Sequence, residues 1–186
     1  MSQIVTEIYG NKVGIDANGY VTAQTGAKLP ALFIGTSGSE VQQPAAGAGV
    51  AAGSALTLTA ATHSGKLIKL DTAAGSTVTL PTSTGQGATY RFIVSVLATS
   101  NSHIIKVANG TDVMQGLIFS RDDTSDNAVA FATAASSDTI TLNRSTTGSV
   151  NTGEYIEIED FAAGFFRVTG FIANTGTPAT PFSATV

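Results

Sequence analysis

The sequence predicts an all-β protein: a β-sandwich or jelly-roll-like body of about nine to ten short antiparallel strands, preceded by an N-terminal arm with a small hairpin. Three observations carry this expectation. From Ser54 onward apolar residues recur with period two, each such run is bounded by Gly, Asn, Asp or Ser, and no segment of the body shows the 3.6-residue period of a helix.

Taken in order, the arm covers residues 1–43, a Gly/Ala-rich tether covers 44–53 (PAAGAGVAAG), and the body covers 54–186. In the arm, residues 12–23 (KVGIDANGYVTA) read as a hairpin, because Asn18-Gly19 supplies the two positive-φ positions of a tight turn. Residues 31–35 (ALFIG) are a compact apolar run. The arm has too few apolar residues to enclose a core, so Leu32, Phe33 and Ile34 are its candidates for docking on a partner. Ten extended tether residues span about 33–36 Å, which puts the body, a sister subunit or a foreign surface within reach.

In the body, Leu56 and Leu58 oppose Thr57 and Thr59, Ile68 and Leu70 oppose Lys69 and Asp71, and Val78 and Leu80 oppose Thr77 and Thr79. Residues 90–97 (YRFIVSVL) are apolar on nearly both faces and predict a central strand packed on two sides. There follow IIKVANG, VMQGLIF, AVAFA, DTITL, EYIEIED and GFFRVTGFI. The ending PATPFSATV, with Pro178 and Pro181, predicts an extended tail or an edge strand able to cross to a neighbour, since proline donates no ladder hydrogen bond.

Composition narrows the function. The chain of 186 residues is long enough for one core, burying roughly two-thirds of its unfolded surface. Charged residues are only 12%, against about 25% in a typical soluble domain. A surface so poor in charge and rich in Thr, Ala, Ser and Gly favours a subunit that buries its exterior in an assembly. Nine Lys plus Arg against thirteen Asp plus Glu leave a net charge of −4 with no basic cluster, which argues against nucleic acid. The absence of cysteine removes disulfides, thiolate metal sites and a Cys nucleophile. No run approaches a membrane span, and MSQIVTEIYG has neither the basic leader nor the apolar segment of a signal peptide.

Candidate chemistry is sparse, and neither cofactor nor catalytic residue is expected. Gly47, Gly49 and Ala52, with Asp71 about twenty residues on, match the spacing of a dinucleotide fingerprint. They lack its context of a buried strand before and a helix after. Asp122, Asp123 and Asp126 in RDDTSDN are oxygen ligands of the kind calcium prefers, but without EF-hand spacing, so a solvated acidic turn is the preferred reading. Glu157 and Glu159 point to one strand face, whereas a glycosidase pair approaches its bond from opposite sides. They read as a solvated outer face or as partners for basic residues across an interface. His63 and His103 have neither a sequence-adjacent ligand nor a serine elbow. Phe161, Phe165, Phe166 and Phe171 could form a sugar-stacking platform, yet Phe166 alternates with Val168 and Ile172, which favours core packing. Tyr155 and Phe165 fall on the opposite strand faces and are the candidates for an intersubunit contact.

The successive phrases SALTLTAATHSGKLIKLDTAAGSTVTLP, YRFIV, IIKVANGTDVMQG, DTITLN, EYIEIEDFAAGFFRVTGF and TPFSATV resemble structural proteins of tailed bacteriophages, notably capsid decoration or cement proteins. The resemblance covers most of the region after Ser54 and is one of phrase order, with no compact motif to transfer. It implies a β-rich virion protein, often a homotrimer, made in the host cytoplasm, that sits on the capsid surface against the major capsid protein and stabilises the shell. Two other functions stay open on sequence: a tail-fibre or receptor-binding virion domain recognising host glycan, and a glycan-degrading enzyme.

Overall fold

The computed structural model describes residues 49–186 in full and, within residues 1–48, the backbone of five short strands. The chain divides into two compact units, Met1–Ala45 and Ala46–Val186. In the first, β1 (Gln3–Ile8), β2 (Asn11–Ile15) and β3 (Val21–Ala23) form a three-stranded antiparallel sheet. The anticipated hairpin is β2–β3, with Val13 opposite Ala23 and Ile15 opposite Val21. Its turn, including Asn18-Gly19, lies outside the described residues. A two-stranded ladder joins β4 (Leu32–Phe33) to β5 (Glu40–Val41). Leu32 and Phe33 are therefore strand residues, while their side chains and Ile34 lie outside what is described.

The second unit is all-β, with two mixed sheets. In chain order its elements are β6 (Val50–Ala51), β7 (Ala55–Thr57), α1 (Ala60–His63), β8 (Leu67–Leu70), β9 (Thr77–Thr79) and β10 (Thr89–Val94). These are followed by β11 (His103–Lys106), β12 (Val113–Asp122), β13 (Ala128–Ala132), β14 (Thr139–Leu142), β15 (Tyr155–Ala162), β16 (Phe165–Asn174) and β17 (Phe182–Ser183). One sheet has seven strands in the order β13-β12-β16-β15-β10-β8-β6, the other five in the order β17-β14-β11-β9-β7.

This wiring corrects the expectation of an antiparallel body. From β6 to β11 the chain crosses to the other sheet at every step, so β6, β8 and β10 stack in parallel in one sheet and β7, β9 and β11 in the other. A chain that leaves a sheet and returns runs in its original direction, whereas a hairpin reverses it. The later strands mix the two modes: β12 and β16 are parallel over ten residue pairs, while β12–β13, β10–β15 and β15–β16 are antiparallel. Alternation in sequence reports which face is buried but not which strand is the neighbour.

The expected tether at 44–53 is corrected in its second half. Val50 and Ala51 pair with Ile68 and Lys69, Ala52 is buried and donates to the Lys69 carbonyl, and the Gly53 N–H donates to Asp71 Oδ1 at 2.9 Å. A Cβ on Gly49 would come within 2.9 Å of the Leu67 carbonyl oxygen, so glycine there lets the chain lie against β8. At Gly49 glycine marks close backbone approach, and a strand follows it, which leaves the nucleotide-loop reading without its helix.

Two rows of side chains build the core. Ile68, Phe92, Ile156, Gly170, Ile118 and Phe131 are cross-strand neighbours through the seven-stranded sheet. In the five-stranded sheet the row is Leu56, Val78, Ile105, Ile140 and Phe182. The side chains of both rows belong to or pack against one hydrophobic cluster. Each fully buried large apolar side chain contributes about 1.5–3 kcal/mol, so these rows, rather than the sparse surface charge, hold the unit together. β10 is central, as expected, but packs on one face only: Tyr90, Phe92 and Val94 are buried, whereas Arg91 is exposed and Ile93 half-buried. The C-terminal residues form edge strand β17, with Phe182 in the core. Asp138 accepts hydrogen bonds from the Thr185 and Val186 N–H groups, so the tail closes on its own chain.

Candidate interaction surface

The outer face of the seven-stranded sheet carries five exposed large apolar side chains, Leu117, Phe119, Phe161, Phe165 and Phe171. Register aligns Ile93, Tyr155, Phe171, Phe119 and Ala130 across five strands. Phe171 is 65% and Phe119 43% exposed, and their rings stack with centroids 5.7 Å apart and planes 14° from parallel. Beside them lies an open cleft of about 510 Å³, lined in part by Arg121, Ala128, Asn151 and Gly153. Six residues along β16, a second pair, Phe161 and Phe165, has its centroids 6.2 Å apart. Both are exposed.

Core packing, preferred for the four phenylalanines, holds for Phe166 alone; Phe161, Phe165 and Phe171 are exposed. The reason is strand parity: odd-numbered positions of β16 face outward, even-numbered ones inward. Tyr155 and Phe165, the intersubunit candidates, are both on the outer face, Tyr155 half-buried and Phe165 exposed. Phe119 was missed by the sequence reading. Its run, VMQGLIF, is apolar at odd and even positions alike, so alternation could not say that Met114 and Ile118 turn inward while Leu117 and Phe119 turn out.

Between the two aromatic clusters runs a belt of charge. Arg167 of β16 binds Glu159 of β15 through Nη2 at 2.7 Å and Nε at 2.8 Å, and its Nη2 lies 3.8 Å from Glu157. The Tyr155 hydroxyl donates to Glu157 Oε2 at 2.7 Å. Burial, this hydrogen bond and the nearby carboxylate push the Tyr155 phenol up to about 12. The same-face carboxylates are thus paired within the sheet by the arginine of the adjacent strand, where the sequence reading places basic partners across an interface.

The acidic loop organises itself. Asp122 Oδ1 accepts from the Thr124 hydroxyl at 2.6 Å and the Thr124 N–H at 2.8 Å, which holds its carboxyl below the usual range. Asp126 lies 3.6 Å from Arg121, both exposed. Among the described residues no three His, Asp or Glu side chains converge as metal ligands, so Asp122, Asp123 and Asp126 form a turn without a cage. His63 closes the single turn of α1, its Nδ1 accepting from the Thr59 N–H at 3.0 Å.

The buried ionisable groups tie loops together. Asp160 accepts from Ser83 Oγ, the Thr84 and Gly85 N–H groups and the Thr84 hydroxyl. Burial raises its pKa, but these donors outweigh it and hold the carboxyl below its ordinary value. Glu154 accepts from the N–H groups of Ser149, Val150 and Asn151, yet burial prevails and its pKa is raised. His103 is fully buried: Nδ1 accepts from the Ser76 N–H at 3.0 Å, which places the proton on Nε2, donated to the Val96 carbonyl at 2.8 Å. The Ser83 and Thr84 hydroxyls on Asp160 belong to the loop that it anchors, and the partners of Glu154 and His103 are backbone groups.

No protein-family model, curated protein or solved structure matches this chain.

Proposed function

We propose that this chain is a virion structural subunit of the decoration type. In this reading the Ala46–Val186 unit is a rigid building block with its two sheets packed as the layers of a sandwich, the arm docks on the major capsid protein or a sister subunit, and the chain performs no catalysis. The observation that carries the reading is the outer face of the seven-stranded sheet, where Phe119, Phe171, Phe161 and Phe165 stand exposed on either side of the Arg167–Glu157–Glu159 belt. Such a face gains most when covered by another protein. The order of phage-like phrases points to the same class, and several weak contacts from a symmetric oligomer, three copies by that resemblance, would sum to firm attachment.

Locating the protein in intact particles by electron microscopy tests this directly: density on the capsid exterior is expected, and density confined to the tail sinks it. Because β6 belongs to the sheet, the arm is removed by deleting residues 1–45 rather than the whole tether. Coating of particles should then fail while the body stays soluble.

A second reading, recognition of host glycan by a tail or receptor-binding domain, is favoured by the Phe119–Phe171 stack beside its cleft, since exposed rings stack on sugars. Binding of the isolated protein to cell-surface glycans, lost in Phe171→Ser, would replace the decoration reading with this one.

A further inference from the structure

We propose that two copies of the body join edge to edge through β13, antiparallel about a two-fold axis at Ala130, so that the seven-stranded sheets of both copies become one. The proposal rests on the reading of the chain as a building block and names the surface by which it self-associates.

β13 ends its sheet, and among the described residues no strand pairs with its outer edge. Natural edge strands are guarded by charge, proline or a bulge. Residues 128–135 (AVAFATAA) contain neither charge nor proline, and the β12–β13 register runs without interruption. The backbone shows which groups await a partner. The Asp122 N–H donates to the Asn127 carbonyl and the Thr133 N–H to the Gly116 carbonyl. In an antiparallel ladder hydrogen-bonded pairs alternate, so Val129 and Phe131 direct their amides at β12, and Ala128, Ala130 and Ala132 direct theirs outward.

The occupant follows from length and side chains. The other sheet-ending strands of the body, β6, β7 and β17, have two, three and two residues against five in β13. Among the sheet-ending strands of the body, only a second β13 satisfies the whole edge. With the axis at Ala130, alanine faces alanine on the outer side. On the core side Val129, which is 37% exposed, meets the partner's Phe131, whose counterpart here already packs against the core. The contact is self-complementary, as an isologous interface requires. It makes the elementary assembly a pair, where the phage resemblance implies a trimer.

The test uses the full chain and its mass in solution, with no capsid present, so it fails or succeeds independently of where the protein sits on a particle. Two copies are expected. Ala130→Pro removes an outward donor and leaves the β12 ladder intact, and Ala130→Lys sets like charges about 5.5 Å apart between Cα atoms across the axis. Each should weaken pairing about tenfold or more. Ala130→Glu should do the same, while an equimolar mixture of the Lys and Glu variants should pair again, which also shows that both are folded. A monomeric parent chain, a trimer indifferent to these substitutions, or a mixture that does not recover would overturn the proposal.

Discussion

Ser83 and Asp160, 77 positions apart, are joined by a hydrogen bond of 2.8 Å from Ser83 Oγ to Asp160 Oδ1, and the loop 83–85 closes around that carboxylate. The bond anchors the loop before β10 to the end of β15, next to Phe161 and Phe165. Asp160→Asn replaces an acceptor by an amide whose N–H₂ faces backbone donors. A loss of about 2–4 kcal/mol in thermal or denaturant unfolding is expected. Because the folded pKa is depressed, the carboxylate's contribution is present above the ordinary value of 3.8 and disappears as pH falls through the folded one.

His103 sets a second pH dependence of known sign. Burial lowers its pKa from 6.5, so above that value the ring is neutral in both states and costs nothing. Below it the unfolded chain takes up the proton first, and the fold loses stability until its own, lower pKa is reached. Melting temperature should therefore fall as pH drops below about 6.5, and His103→Gln should flatten that slope.

Gly170 lies in the core row between Ile156 and Ile118, and a Cβ there would stand 2.7 Å from the Tyr155 carbonyl oxygen. The obstacle is backbone, which has little room to move. Gly170→Ala should cost about 1–3 kcal/mol by overpacking, read as a lowered denaturation midpoint.

Phe171 behaves oppositely. Because Phe171 is 65% exposed, Phe171→Ser should leave stability within about 0.5 kcal/mol. On the decoration reading, particle coating should weaken although the melting curve does not move.

Tyr90 offers a check on the core. Its hydroxyl is buried without a hydrogen-bond partner in the structure, and burial together with the charge of Asp160 pushes its pKa up to about 12. Tyr90→Phe removes an uncompensated polar group, so thermal unfolding should show stability unchanged or raised by about 1 kcal/mol.

Much of the fold was legible because burial imposes period two. Ile68, Leu70, Val78 and Leu80 all fall on the core face that alternation gives them. Residues apolar on both parities escaped it. Nothing local distinguishes Phe119 from Ile118, or Phe171 from Ile172, until the sheet settles which parity meets the core. The tether was misread for a related reason: Gly and Ala signal flexibility in an open chain but close packing beside a strand, and Gly49 against Leu67 is the second case.

By itself the sequence determined the all-β class, the compositional break between arm and body, the inward set of each alternating strand and the poverty of charge. These are properties of neighbours along the chain. Only the tertiary structure decided that β6, β8 and β10 stack in parallel, that Arg167 holds Glu157 and Glu159, that Phe119 lies on Phe171 and that β13 is left at the edge. Such relations join residues far apart in sequence. They depend on which sheet each strand enters, a choice made by packing the whole core at once.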